Sequence, residues 1–162
     1  TYVTPYRFER IKNFLNPEDN ALSGGYHLSQ ALIAIGSGSV KGVGYGQSTS
    51  KISTLPEPIG DSIFAVIAEE TGFIGSMALI TVFGILIGKI FLVAWKKRDK
   101  FGQLMLFGFG SVIAIQTLVN IGAISGVLPL TGTPLPFISY GSTSLIVFLT
   151  MSGLVVNIIK SN

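Results

Sequence analysis

Asp61 follows the breaker run Pro56-Glu57-Pro58-Ile59-Gly60 and precedes an apolar stretch, which puts a carboxylate where an irregular segment turns into a helix. A carboxylate there can cap the helix, accepting a backbone N–H and complementing the dipole. It can also serve as a general base toward a hydroxyl at a surface, and the two roles are compatible. Glu69 and Glu70 come two turns further on. At roughly 100° per residue, Glu69 falls about 80° from Asp61 and Glu70 points to the opposite side. Acidic groups inside an apolar helix are costly unless paired or solvated, which makes both functional candidates; the plain alternative is ion pairing with basic residues of other helices. Ala65, Ala68, Gly72 and Gly75 share the Asp61 face, where small side chains permit a close helix neighbour.

Other residue types narrow the chemistry. Glycines at 36, 38, 42, 44 and 46 (GSGSVKGVGYG) match neither GxGxxG after a strand nor GxxxxGK[ST]. Their density instead predicts a mobile outer loop that orders against a ligand. Arg7, Arg10, Lys41 and Lys51 can meet a phosphorylated lipid headgroup or act as ordinary interfacial anchors. Ser48 and Glu57 lie in the same outer stretch and complete the candidate substrate contacts. His27 is the single His and Cys is absent, which excludes a His-cluster metal site, a Cys/His zinc site and a Cys nucleophile. No nucleophile-elbow motif supports Ser-His-Asp hydrolysis. Gln116, Thr117, Asn120, Ser125, Ser139, Tyr140 and Asn157 are polar groups among apolar ones, the type that usually joins helices.

The elements that must position these residues are membrane helices. Of 162 residues only 12% are charged, about half the share in a soluble domain, and mean hydropathy is +0.62. Residues 101–159 carry no charge at all, which no water-facing fold tolerates. Three apolar spans are predicted, at about 62–95, 102–128 and 137–159, each long enough to cross a bilayer. Residues 1–61 form a separate region whose ten charges sum to zero. Within it HLSQALIAI puts Leu28, Ala31, Leu32 and Ile35 on one face of a short interfacial or re-entrant helix. The loop KKRDK between the first two spans and Lys160 after the third place that end in the cytoplasm by the positive-inside rule. Residues 1–61 then face outward. The net charge of +3 points to membrane orientation rather than nucleic acid, because four basic residues share one loop. The start TYVTPYRFERIKNF contains no signal-like apolar run, so the chain is expected to be the C-terminal part of a longer polytopic protein.

Two long blocks, GGYHLSQALIAIGSGSVKGVGYGQSTSKISTLPEPIGDSIFAVIAEETGFIG and NIGAISGVLPLTGTPLPFISYGSTSL, resemble the SEDS family of bacterial shape, elongation, division and sporulation proteins. The pattern QxLIAIGSG followed by GxGxGQS is closer to that family's division branch, FtsW, than to its elongation branch, RodA. The resemblance implies an all-α integral membrane fold of ten helices, of which this chain supplies the large fourth extracytoplasmic loop, with short helices, and the last three spans. It implies a peptidoglycan glycosyltransferase of the bacterial cytoplasmic membrane that polymerises lipid II, an undecaprenyl-pyrophosphate-linked disaccharide, into glycan strands. It also implies a class B penicillin-binding protein and other division proteins as partners. Asp61 takes the place of the family's catalytic aspartate, with Glu69, Glu70 and Asn120 as supporting residues. Ile59-Gly60-Asp61-Ser62 replaces the frequent His-Thr-Asp-Phe, Ser139-Tyr140-Gly141-Ser142-Thr143-Ser144 replaces SYGGSS, and Thr131 stands where division members carry a lysine.

In the implied reaction the acceptor 4-hydroxyl loses its proton to Asp61 while attacking the donor's anomeric carbon. Cations, or a divalent metal such as Mg or Mn, neutralise the departing pyrophosphate, and no organic cofactor is needed. Two other readings are a lipid II flippase and a non-catalytic division scaffold. A flippase wants ionisable groups along the middle of its spans; here the second and third have none and the first has only Lys89.

Overall fold

The computed structural model describes residues 24–48 and 60–160. Four helices carry the fold among these residues: α1 (Gly24–Ser37), α2 (Ile63–Lys96), α3 (Lys100–Ile124) and α4 (Ser142–Lys160). The last three are long and apolar enough to cross a membrane. Phe83, Ile90 and Ala94 of α2, Leu106 and Ile113 of α3, and Phe148 and Val155 of α4 form their common core, joined by Leu135 from the α3–α4 connection.

α2 has 34 residues, about 50 Å of helix, more than a bilayer core requires. It is broken at Gly72, whose φ of 67° and ψ of −163° lie outside helical space. A break removes intrahelical partners from the amides after it and the carbonyls before it, and such groups are expensive to leave bare where water is scarce. The glycine-rich segment after α1 supplies the partners. Phe73 N donates to Ser39 O (2.9 Å) and Ile74 N to Val40 O (3.3 Å); in return Val43 N donates to Glu69 O (3.0 Å) and Gly44 N to Glu70 O (3.1 Å). The two backbones approach so closely that a Cβ at Gly38 would strike the Ala68 carbonyl and one at Gly42 the Glu70 carbonyl. The expectation of a mobile loop over 36–46 is therefore corrected. Residues 39–44 are stitched into the helix break, and the glycines serve close approach and positive φ, with Gly42 at 81° and Gly44 at 110°.

α1 packs on the N-terminal part of α2 through Ala31, Ala34, Phe64, Ala65 and Val66, together with Ile124 of α3. The small residues on α2 do admit a close neighbour, as the spacing predicts. The buried face of α1 differs from the expected one: Ala34 is buried and Leu32 is 44% exposed. Alanine-to-alanine contact requires this rotation, and the tips of Leu28 and Leu32 flank Gly126 instead.

The other helix ends also depart from hydropathy. α3 stops at Ile124, not near 128, because Gly126 (φ 75°) closes a Schellman motif, with Gly126 N donating to Ala123 O (3.2 Å) and Val127 N to Gly122 O (2.9 Å). α4 starts at Ser142, not 137. The preceding residues form a turn in which Leu135 N donates to Ser139 Oγ (2.7 Å) and Ser139 N returns to Leu135 O (3.1 Å). At α2 the N-cap is Ser62, whose side chain makes no capping bond, so Asp61 is not the cap that its position before a helix suggests.

Gly42→Ala should destabilise the protein by about 2–4 kcal/mol, since a left-handed residue costs roughly 1–2 kcal/mol and the Glu70 carbonyl must also be displaced. Gly46→Ala has positive φ but open space around it, and should cost only about 1 kcal/mol. Reversible unfolding in detergent compares the two, and equal losses would show that loop–helix contact is not what fixes residue 42.

Candidate functional site

The site is assembled where the start of α2, the end of α3 and the α3–α4 connection meet. Asn120, one turn before the end of α3, is 2% exposed. Its Nδ2 donates to Asp61 O (3.1 Å) and Thr133 O (2.6 Å), tying the turn before α2 to α3 and to the proline-rich connection. Gln116, one turn earlier, donates from Nε2 to Pro134 O (3.3 Å), so two amides a turn apart on α3 hold successive carbonyls of the connection. Proline at 134 and 136 suits this, because X-Pro residues stay extended and a stiff chain presents its carbonyls at fixed positions. Asp61 is thereby fixed through its backbone, and its side chain is half-buried. Beside it Ser62 is fully buried, with its Oγ 3.4 Å from His27 Nε2 on α1.

A second polar contact lies further along α2. Glu69 is 2% exposed, and Ser48 Oγ donates to its Oε2 at 2.5 Å. The carboxylate therefore fastens the chain just beyond the glycine segment, while the Glu69 carbonyl fastens residue 43. Glu70 is half-buried, and its Oε1 is buried without a hydrogen-bond partner among the described residues. The same holds for Asn120 Oδ1 and Thr117 Oγ1. Extrapolating helical angles from Asp61 to Glu69 does not apply, because Asp61 lies in a turn before the helix begins at Ile63.

Lys41 is exposed on the segment docked at Gly72, roughly 15 Å of helix rise from the Asp61 turn. Thr131 is exposed, with its hydroxyl 3.1 Å from that of Thr133. Arg7, Arg10, Lys51 and Glu57 lie outside the described residues. Among the described residues no three His, Asp or Glu side chains gather as a metal-ligand set. Asp61 and Asn120 are thus joined through a backbone carbonyl, and Ser48 and Glu69 through side chains. Sequence reasoning missed the carbonyls of Thr133 and Pro134 and the His27–Ser62 pair; the signal for the first was two amide side chains four residues apart on an apolar helix facing a proline-rich stretch.

Three helices long and apolar enough to cross a membrane, with polar contacts gathered toward one end, mark a multi-pass membrane protein. The chain belongs to the FtsW/RodA/SpoVE family, described as cell cycle protein, whose match covers residues 1–162. It is 42% identical over 154 residues to stage V sporulation protein E of Bacillus subtilis, covering 95% of this chain and 42% of that protein. It is 43% identical over 158 residues to a probable peptidoglycan glycosyltransferase FtsW of Thiomicrospira cyclica, covering 96% and 41%. The chain thus spans about two fifths of the length of these relatives. Among solved structures it resembles a chain from a study of how a peptidoglycan synthase complex coordinates polymerization and crosslinking, with TM-score 0.76, 30% identity, and coverage of 98% of this chain and 43% of that one. It also resembles the rod shape determining protein RodA of Thermus thermophilus, with TM-score 0.61, 35% identity, and coverage of 80% and 39%. The resemblance read from the sequence blocks is thereby established at the level of the family.

Asn120→Asp tests the three-way tie. A carboxylate offers no N–H to the two carbonyls and repels them, so we expect a loss of about 2–4 kcal/mol, the range for stripping a buried pair and adding an unpaired charge. Asn120→Ala should cost about 1–3 kcal/mol. Thermal unfolding in detergent that ranks Ala as the worse variant would contradict the assignment of Nδ2 as a double donor.

Proposed function

We propose that the protein to which this chain belongs polymerises lipid II as a peptidoglycan glycosyltransferase, with Asp61 as general base at the outer membrane surface. The observation that carries this reading is the backbone anchoring of Asp61 by Asn120, which sets a carboxylate in the turn just before the Ser62 N-cap of α2. The names carried by the relatives supply the substrate class. The 4-hydroxyl of the acceptor sugar gives its proton to Asp61 as its oxygen bonds to the donor's anomeric carbon. The bond from that carbon to the pyrophosphate breaks, and undecaprenyl pyrophosphate leaves with the electron pair.

Lys41, Lys51, Arg7 and Arg10 are the cations proposed for the diphosphate, with Ser48 and Glu57 as further substrate contacts. Ser48 reaches that role only indirectly, since its hydroxyl is committed to Glu69. Glu69 and Glu70 support the outer end of α2. Among the described residues no three acidic or His side chains gather around a common point for a divalent cation, so a Mg or Mn ion, where used, would draw ligands from elsewhere in the intact protein or from the diphosphate. The working assembly is proposed to include a class B penicillin-binding protein and other division proteins, and its setting is the bacterial cytoplasmic membrane. Asp61 faces outward and the basic 96–100 loop inward, by the positive-inside rule. The charge pattern disfavours a flippase: α3 and α4 carry no ionisable group between Lys100 and Lys160.

Asp61→Asn preserves the backbone carbonyl that Asn120 holds but removes the base. In the intact protein we expect lipid II polymerisation to fall by about 10²–10⁴-fold, the usual span for a lost general base, with the unfolding midpoint unchanged. Wild-type polymerisation by this variant would refute the assignment.

A further inference from the structure

The end of the bundle opposite Asp61 takes no part in the proposed chemistry, yet it concentrates charge. Lys96 ends α2, Lys97, Arg98 and Asp99 form the loop, Lys100 begins α3 and Lys160 ends α4. Five cations and one anion thus share three helix ends. Lys97 is the half-buried member. Its Nζ donates to Ile158 O (2.7 Å), satisfying a carbonyl in the last turn of α4 and drawing the end of that helix, with Lys160, beside the loop. Gly102 makes the approach possible, since a Cβ there would lie 3.1 Å from Ile158 Cγ2 and 2.9 Å from Asp99 Oδ2.

The one acid does not neutralise the group. Asp99 is the N-cap of α3, and its carboxylate accepts from Phe101 N (3.2 Å) and Gly102 N (2.8 Å). Lys96, Arg98, Lys100 and Lys160 are exposed. Two aromatic side chains flank them, Trp95 at 79% and Phe101 at 72% exposure, types that settle at the level of lipid headgroups. Cations clustered immediately beyond spanning helices attract anionic lipid within a Debye length.

We propose that this end of the bundle binds the headgroup of an anionic phospholipid, with Arg98, Lys100, Lys96 and Lys160 around the phosphate and Trp95 and Phe101 against the glycerol and upper acyl region. Binding there holds the three helix ends at a common depth. The aromatic pair favours a lipid over an acidic soluble protein, since a purely electrostatic partner gains nothing from exposed Trp and Phe at membrane level.

The intact protein, delipidated in neutral detergent, is titrated with phosphatidylglycerol or phosphatidylethanolamine and read by native mass spectrometry. Phosphatidylglycerol should bind about tenfold more tightly. R98Q/K100Q, and separately K96Q/K160Q, should each lose about tenfold while keeping the helical circular-dichroism spectrum. D99N, in which Asn still caps α3, should bind a few-fold more tightly, because it removes the one acidic side chain among the described residues at this end. Equal affinity for the two lipids, or unchanged affinity in both charge-depleted variants, would overturn the proposal. Displacement of phosphatidylglycerol by millimolar inorganic phosphate would overturn it in favour of a soluble-anion site, and displacement by polyglutamate in favour of an acidic protein partner.

Discussion

A broken helix must find partners for the backbone groups that the break releases, and the architecture at this end of the bundle follows from how α2 meets that requirement. Gly72 opens the helix, and residues 39–44 enter the gap as a short length of chain that donates twice and accepts twice. This exchange explains why α1 must end where it does, why glycine occupies 38, 42 and 72, and why Glu69 sits buried against Ser48. It also separates α2 into a shorter piece, which carries Glu69 and Glu70, and a longer piece of about the length a bilayer demands.

The shorter piece of α2 is held at both ends. At its start Asn120 fixes the Asp61 carbonyl to α3 and to Thr133; at its far end the glycine segment grips it across the break. Between them, the alanines of α1 and α2 pack in contact. For the proposed general base, such a support leaves little orientational freedom to lose when a substrate arrives, which is the condition under which a base is effective. The lipid-headgroup site proposed at the opposite end would add a third constraint, on the depth and spacing of the same helices.

Much of this was legible in the sequence. The uncharged 101–159 run and Asp61 after its breaker run point to three spans and a candidate base, and the small residues of α2 announce a close neighbour. What was not legible depends on tertiary partners. Glycine density reads as freedom when the chain is considered alone; only the carbonyls of Ala68 and Glu70 show that it serves contact. Hydropathy carried the second span past Ile124 because Val127 and Leu128 are apolar, whereas the Gly126 cap ends the helix. The third span was started early because Phe137 and Ile138 are apolar, although both belong to the turn closed by Ser139. Asp61 reads as a cap from position alone, and one extra residue of turn shifts that place to Ser62.

Amide hydrogen exchange across the helix break tests the central claim most directly. If residues 39–44 complete α2, the amides of Val43, Gly44, Phe73 and Ile74 exchange slowly and with similar protection in the substrate-free protein, as members of one cooperative unit. Rapid exchange at Val43 and Gly44 beside protected amides in the spanning part of α2 would contradict it, returning the glycine segment to a loose loop and leaving the break in α2 unsupported.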